Sequence, residues 1–131
     1  MKTLSLVINV VRGRFKSFGY AFNGLKVLFR TQANARIHLL ATITVIACGI
    51  WFHISSTQWA LLFLCIGLVL AAEVFNTAIE FLVDFVSPQH HQLAGKIKDL
   101  AAAGVVVAAG TAVLVGLVVF LPRLIEVFNN Y

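Results

Sequence analysis

Charged residues are scarce in this chain, and acidic residues are the scarcest of them. Only 11% of the 131 residues are charged, and five acids stand against ten lysines and arginines. A soluble globular protein has about 25% charged residues. With 60% hydrophobic residues and a mean hydropathy of +0.95, the composition excludes that class. It predicts an integral membrane protein that forms a single unit over residues 1–131.

Cysteine and proline are also rare, with two of each. Cys48 and Cys65 lie within apolar runs and have no partner at the spacing of a metal or redox motif. We therefore expect both to be small buried hydrophobic residues. Pro88 and Pro122 each follow a long apolar run, and we expect each to end a helix.

Three apolar runs are long enough to cross a bilayer, which takes about 20 residues in a helix. They lie at residues 37–54, 59–86 and 99–121, with a polar link over residues 87–98. Basic and apolar residues interleave over residues 4–30, which predicts one or two amphipathic helices at the membrane surface. The expected fold is an all-α integral membrane protein with three transmembrane helices and an N-terminal amphipathic surface helix.

Lysine and arginine are concentrated on one side of this layout. Seven of the ten precede the first span, two lie in the link after the second span, and none lies between the first two spans. The positive-inside rule therefore places the N-terminus and the second link in the cytoplasm. The basic N-terminal segment indicates attraction to anionic lipid. A nucleic-acid-binding arm is the alternative, but we expect no nucleic-acid partner because the rest of the chain lies in the bilayer.

A row of polar residues interrupts the second apolar run, at Glu73, Asn76, Glu80 and Asp84. The spacing i, i+3, i+7 and i+11 places all four side chains on one face of a helix. One ionisable residue inside a spanning helix costs roughly 2.5–3.5 kcal/mol, so this polar row is expected to be functional. The alternative is an inert polar contact between helices. The row lies at the end of the second run that leads into the link over residues 87–98. Because the basic residues place that link in the cytoplasm, we expect the row at the cytoplasmic boundary of the membrane.

The chain resembles the prokaryotic diacylglycerol kinase family, which includes the undecaprenol kinases. The resemblance rests on EVFNTAIEFLVD at residues 73–84, followed at the family's spacing by KDLAAAG at residues 98–104. It is extended by GYAFNGLK at residues 19–26 and NARIH at residues 34–38. The lipid branch is left open, with a slight similarity to the undecaprenol kinases in the residues around Asn76 and Arg36.

The resemblance implies an enzyme that transfers the γ-phosphate of Mg-ATP to a lipid hydroxyl, with Mg²⁺ as cofactor and ATP as cosubstrate. It implies a homotrimer in the bacterial inner membrane. Glu73 would be the general base, Asn76 and Arg36 would position the site and the lipid, and Glu80 and Gln32 would hold the metal. The implied ATP-binding residues are Tyr20, Gln32, Glu80, Asp84, Gln89, His91, Lys98 and Asp99, with His90 in the same segment.

Elementary chemistry agrees with these roles, since phosphoryl transfer depends mainly on positioning and on charge stabilisation by metals and cations. Mg²⁺ binds oxygen ligands, commonly one or two carboxylates together with substrate phosphates. The phosphate-binding loop of soluble kinases is absent, because Leu25 follows Gly24 where that motif needs lysine.

One position departs from the family pattern, since Gln32 stands where the family usually has a glutamate that is a second ligand of the metal. We expect weaker Mg²⁺ binding and a higher Mg²⁺ optimum as a result. The sequence allows two other hypotheses about the function: a catalytically inert membrane subunit, and a small oligomer that conducts protons or cations along the polar row. His38 and His53 are expected to be interface residues.

Overall fold

The computed structural model describes residues 2–89 and 91–129, and in the first helix it describes the side chains of Arg14 and of residues 16 onward. Within these residues the chain forms four helices and no strand. They are α1 (Lys2–Thr31), α2 (Ala33–Trp51), α3 (Ser56–Val86) and α4 (Gln92–Asn129). Helices α2, α3 and α4 are long and apolar enough to cross a membrane, which confirms the predicted all-α, three-span class.

The surface segment and the first span are separated by a single residue. Helix α1 runs without interruption through Gly19 and Gly24, so the basic segment forms one helix and not two. The separating residue is Gln32, which has an extended backbone with φ −103° and ψ 116°, and α2 begins at the next residue. The helix therefore begins four residues before the apolar run at residue 37, because the polar residues 33–36 form its first turn.

Two expectations for the last helix were wrong. The link after α3 covers only residues 87–91, because His91 caps α4: its Nδ1 accepts a hydrogen bond from the backbone N–H of Leu93 at 3.2 Å. The helix also continues through Pro122 to Asn129. A proline removes one backbone donor, and helices within membrane proteins tolerate this where the surrounding turns adjust.

Helix α3 has defined signals at both ends. The Ser55 side chain accepts from the backbone N–H of Gln58, and the Gln58 side chain accepts from the backbone N–H of Ser55 at 2.9 Å. This reciprocal capping box satisfies two otherwise free donors. At the other end, the Ser87 N–H donates to the Val83 carbonyl at 2.8 Å. Pro88 follows, as expected for a residue that ends the helix.

Helices α3 and α4 pack antiparallel along most of their length. Asp84 faces Lys98 next to the link, while Leu62 and Val119 share a buried cluster at the far end of both helices. Ile54 completes that cluster, and it is surrounded by partly buried aromatic and aliphatic side chains from all three spans. The polar residues of α3 are therefore at the end of the bundle opposite this apolar cluster.

Gly49 lies where α2 packs tightly against Trp59 of α3, and its replacement tests the packing. A Cβ atom at Gly49 would lie 2.7 Å from Trp59 Cη2 and 3.1 Å from Ile54 Cδ1. The Trp59 ring cannot swing away freely, because it stacks on Phe63 with ring centroids 5.3 Å apart. We expect Gly49→Ala to lower the free energy of unfolding by about 1–3 kcal/mol, as overpacking usually does, in thermal unfolding of the detergent-solubilised protein.

Gly110→Ala is the matched control, since a Cβ atom at Gly110 meets no atom within 4 Å. Equal unfolding temperatures for the two variants would contradict the packing described here.

Candidate functional site

The polar row on α3 runs from the interior of the bundle to its surface. The Glu73 side chain is only 2% exposed and Asn76 is buried, while Glu80 is half-buried and the Asp84 side chain is 63% exposed. Asp84 lies eleven positions after Glu73, which separates the two by about 16 Å along the helix axis. One face of α3 therefore offers carboxylates to both a buried and an aqueous reactant.

The row does not continue across the membrane. Beyond Glu73 the buried face of α3 consists of Val69, Cys65 and Leu62, all of them apolar at this depth. Cys65 is buried as expected, whereas Cys48 is only half-buried. A path for protons or cations along this face would need polar groups through the whole span. The geometry therefore disfavours the hypothesis of a conducting oligomer.

Two amide groups hold the carboxylate of Glu80. The Asn76 Nδ2 atom donates to Glu80 Oε1 at 2.9 Å, and the Gln32 Nε2 atom donates to Glu80 Oε2 at 3.1 Å. Gln32 reaches α3 because it occupies the extended break between α1 and α2. We call this arrangement of Gln32, Asn76 and Glu80 the amide clasp.

The amide clasp contains the oxygen atoms that a magnesium ion requires. Asn76 Oδ1 is buried and has no hydrogen-bond partner in the described residues. Rotation of the Gln32 or Asn76 amide group would direct its carbonyl oxygen towards an ion beside Glu80. The described part of the chain contains no group of three or more His, Cys, Asp or Glu side chains that could hold a metal. Mg²⁺ fits this site as a weakly anchored ion, with one carboxylate, amide oxygens and the phosphates of a nucleotide.

A cleft lies beside the row, at the link between α3 and α4. It has a volume of about 340 Å³, and its lining includes Asp84, Gln89, His91 and Lys98. The structure thus brings together four residues predicted to bind nucleotide. Lys98 Nζ donates to Asp84 Oδ1, and a pair this exposed adds at most about 1 kcal/mol to stability. The lysine is therefore available to an incoming phosphate; His90 lies outside the described residues.

The sequence analysis missed a partner of Glu73. His38, on α2, places its Nε2 atom 3.2 Å from Glu73 Oε1, so it faces the polar row. The two residues are 35 positions apart, and only the register between α2 and α3 brings them together. No local pattern in the sequence carries that register.

Three predicted site residues lie apart from the row. Tyr20 is 73% exposed on α1, and Arg36 and Asp99 are exposed on α2 and α4. None of the hydrogen bonds or ion pairs found between described residues joins them to the amide clasp or to the cleft. Within one chain, these side chains are free to meet a substrate or another subunit.

The sequence matches the family described as prokaryotic diacylglycerol kinase over residues 19–120. It is 41% identical to an undecaprenol kinase of Bacillus subtilis, over 84% of this chain and 89% of that protein. It is 40% identical to a diacylglycerol kinase of Synechocystis, over 84% of this chain and 63% of that longer protein. A diacylglycerol kinase of Escherichia coli is 30% identical, over 76% of this chain and 81% of its own length.

The apolar spanning helices and the polar row at one end of the bundle describe a membrane-embedded enzyme. The chain belongs to the prokaryotic diacylglycerol kinase family. Its activity is that of a lipid kinase, and the family uses ATP as the phosphate donor.

The amide clasp generates a test that does not depend on activity. Gln32→Glu would replace an amide donor to Glu80 by a second carboxylate, so without metal the two anions repel and a charge-assisted hydrogen bond is lost. We expect the variant in EDTA to lose about 1–3 kcal/mol of unfolding free energy. We also expect added Mg²⁺ to raise its unfolding temperature by more than it raises that of the parent.

Asn34→Asp is the control for charge alone, because Asn34 is exposed two residues further along. If Mg²⁺ shifts the unfolding temperatures of the parent and of both variants equally, the amide clasp does not bind the ion.

Proposed function

We propose that this chain transfers the γ-phosphate of ATP directly to the hydroxyl of a membrane lipid, with Glu73 as general base. The gradient of burial along the polar row carries this proposal. Glu73 is buried within the bundle, where it would meet a lipid hydroxyl, while Asp84 and its cleft are open to an aqueous nucleotide. A single helix face thus supports both substrates of a reaction between a lipid and ATP.

Glu73 is suited to the base because no hydrogen bond in the described part of the chain satisfies its carboxylate, whose close polar neighbour is the His38 imidazole at 3.2 Å. Its Oε1 atom is buried without a hydrogen bond in the described part of the chain, and Thr77 Oγ1 bonds the Glu73 backbone carbonyl, not the carboxylate. In the proposed step the carboxylate takes the proton of the lipid hydroxyl as that oxygen attacks the γ-phosphorus. The bond from the γ-phosphorus to the β-phosphate oxygen breaks, and ADP leaves.

The amide clasp is the proposed metal site, in which Glu80, Gln32 and Asn76 would hold Mg²⁺ next to the nucleotide. Bound there, the ion would neutralise charge on the phosphate oxygens. Lys98 would leave its contact with Asp84, bind a phosphate of the nucleotide and add a second positive charge next to the phosphate oxygens. Because glutamine brings no charge to the metal, this chain is expected to need more Mg²⁺ than a relative with glutamate at this position.

The nucleotide would lie along the cleft at the α3–α4 link, between Asp84, Gln89 and His91. Asp99 and Tyr20 are the remaining proposed ATP contacts, and Arg36 is the proposed anchor for the lipid. All three are exposed and separate from the row within one chain. We propose that the chain works as a homotrimer, in which a neighbouring copy brings such residues to each site.

We propose the bacterial inner membrane as the location, with the N-terminus in the cytoplasm. Nine of the ten basic residues support this orientation, because they lie before α2, in its first turn or near the α3–α4 link. The link between α2 and α3 contains none, and Arg123 near the end of α4 is the exception. The polar row and the cleft then face the cytoplasm, where ATP is available.

The lipid is proposed as either undecaprenol or diacylglycerol. A Bacillus subtilis protein named for the first and a Synechocystis protein named for the second are equally similar, at 41% and 40% identity. Both lipids present a hydroxyl at the membrane boundary, so the site as described accepts the reacting group of each. The two lipids are therefore separate arms of one experiment.

The test is transfer of labelled γ-phosphate from ATP to each lipid by the purified protein in mixed micelles. We expect product with at least one lipid in the presence of Mg²⁺. We expect Glu73→Gln to lower turnover by about 10²–10⁴-fold, the usual contribution of general base catalysis, with little change in the KM for ATP.

Glu126→Gln is the matched control, because Glu126 pairs with Arg123 near the end of α4, far from the row. It should keep the turnover of the parent. Near-normal turnover by Glu73→Gln would remove Glu73 from the role of base. No product with either lipid at any Mg²⁺ concentration would overturn the proposed reaction and favour an inert subunit.

A further inference from the structure

His38 and Glu73 form a contact that the proposed reaction does not yet use. The Nε2 atom of His38 lies 3.2 Å from Glu73 Oε1. Glu73 is the side chain most completely buried among the large buried residues described. A buried carboxylate is unfavourable unless a partner compensates it, so the identity of that partner determines how the carboxylate is held.

The other polar groups near Glu73 are engaged elsewhere. Thr77 Oγ1 donates to the backbone carbonyl of Glu73, and Asn76 directs its Nδ2 atom to Glu80. Among the described residues, His38 is the side chain whose polar atom comes within salt-bridge distance of the Glu73 carboxylate. The imidazole is therefore in a position to determine the carboxylate's orientation.

The surroundings of His38 leave its ring free of competing partners. It lies at the edge of a cavity of about 230 Å³ between α2, α3 and α4, lined otherwise by residues such as Ala41, Val69, Ala109 and Gly116. Thr42 also lines this cavity, but its hydroxyl donates to the backbone carbonyl of His38 at 2.8 Å. No acid other than Glu73 forms an ion pair with this histidine in the described chain.

We propose that His38 is a positioning residue, whose Nε2 atom holds the Glu73 carboxylate in the orientation that receives the proton of the lipid hydroxyl. The inference rests on the proposed function, because it assigns His38 to the same reaction. His38 does not touch the reacting atoms; it acts through Glu73. Loss of a partner that orients a functional side chain in this way commonly lowers activity by about 10- to 100-fold.

Two amide substitutions that differ in reach test the proposal. The Nε2 atom of a glutamine side chain can occupy nearly the place of a histidine Nε2, whereas the amide of asparagine is one bond too short. We expect His38→Asn to lower kcat by about 10- to 100-fold with the KM for ATP unchanged. We expect His38→Gln to retain most of the parent kcat. Thr42→Val, which lines the same cavity, should leave kcat unchanged.

A double-mutant cycle distinguishes positioning from general packing. If His38 acts through Glu73, His38→Asn should produce no further loss of kcat in a Glu73→Gln background, because residues that act as a unit are not additive. A full additional loss in that background, or equal kcat for His38→Asn and the parent, would overturn the proposal.

The contact is also tested without activity, by unfolding temperatures of the parent, both single variants and the double variant. Non-additive shifts support the contact, and strictly additive shifts contradict it. Failure of the parent to phosphorylate either lipid overturns the proposed function. An active parent with a fully active His38→Asn variant overturns this inference alone.

Discussion

The arrangement of this protein depends on the burial of acidic side chains within a spanning helix. A carboxylate at this depth needs a compensating partner, and each acid of the polar row obtains one from a different part of the chain. The pairs are Gln32 with Glu80, His38 with Glu73, and Lys98 with Asp84. The same side chains that would perform the chemistry therefore also form the polar contacts between α3 and other parts of the chain.

This constraint explains why the two ends of the bundle differ. At the far end, Leu62 and Val119 pack in an ordinary apolar cluster, and the close approach at Gly49 determines the spacing of α2 and α3. At the site end, polar contacts replace apolar packing, and they are few. The side chains there can exchange protein partners for substrate: the Glu80 carboxylate for a metal, and Lys98 for a phosphate.

The parts of this account that depend on local periodicity could be predicted from the sequence. The spacing of Glu73 and Glu80 indicated a shared helix face, and the apolar runs indicated three spans. Contacts between distant segments could not be predicted, because the register of α2 against α3 brings His38 to Glu73 and has no local signature. The prediction for Pro122 was wrong for another reason: a proline removes one backbone donor, and α4 continues despite that loss.

The central claim is that the face of α3 carrying the polar row binds both substrates, with the lipid deep and the nucleotide at the surface. A structure of the protein in a lipid bilayer, with a non-hydrolysable ATP analogue, Mg²⁺ and the lipid alcohol, tests it most directly. The account predicts the lipid hydroxyl beside Glu73, the ion at Glu80 and the terminal phosphate near Lys98. A nucleotide bound away from the α3–α4 cleft, or a lipid hydroxyl remote from Glu73, would contradict it.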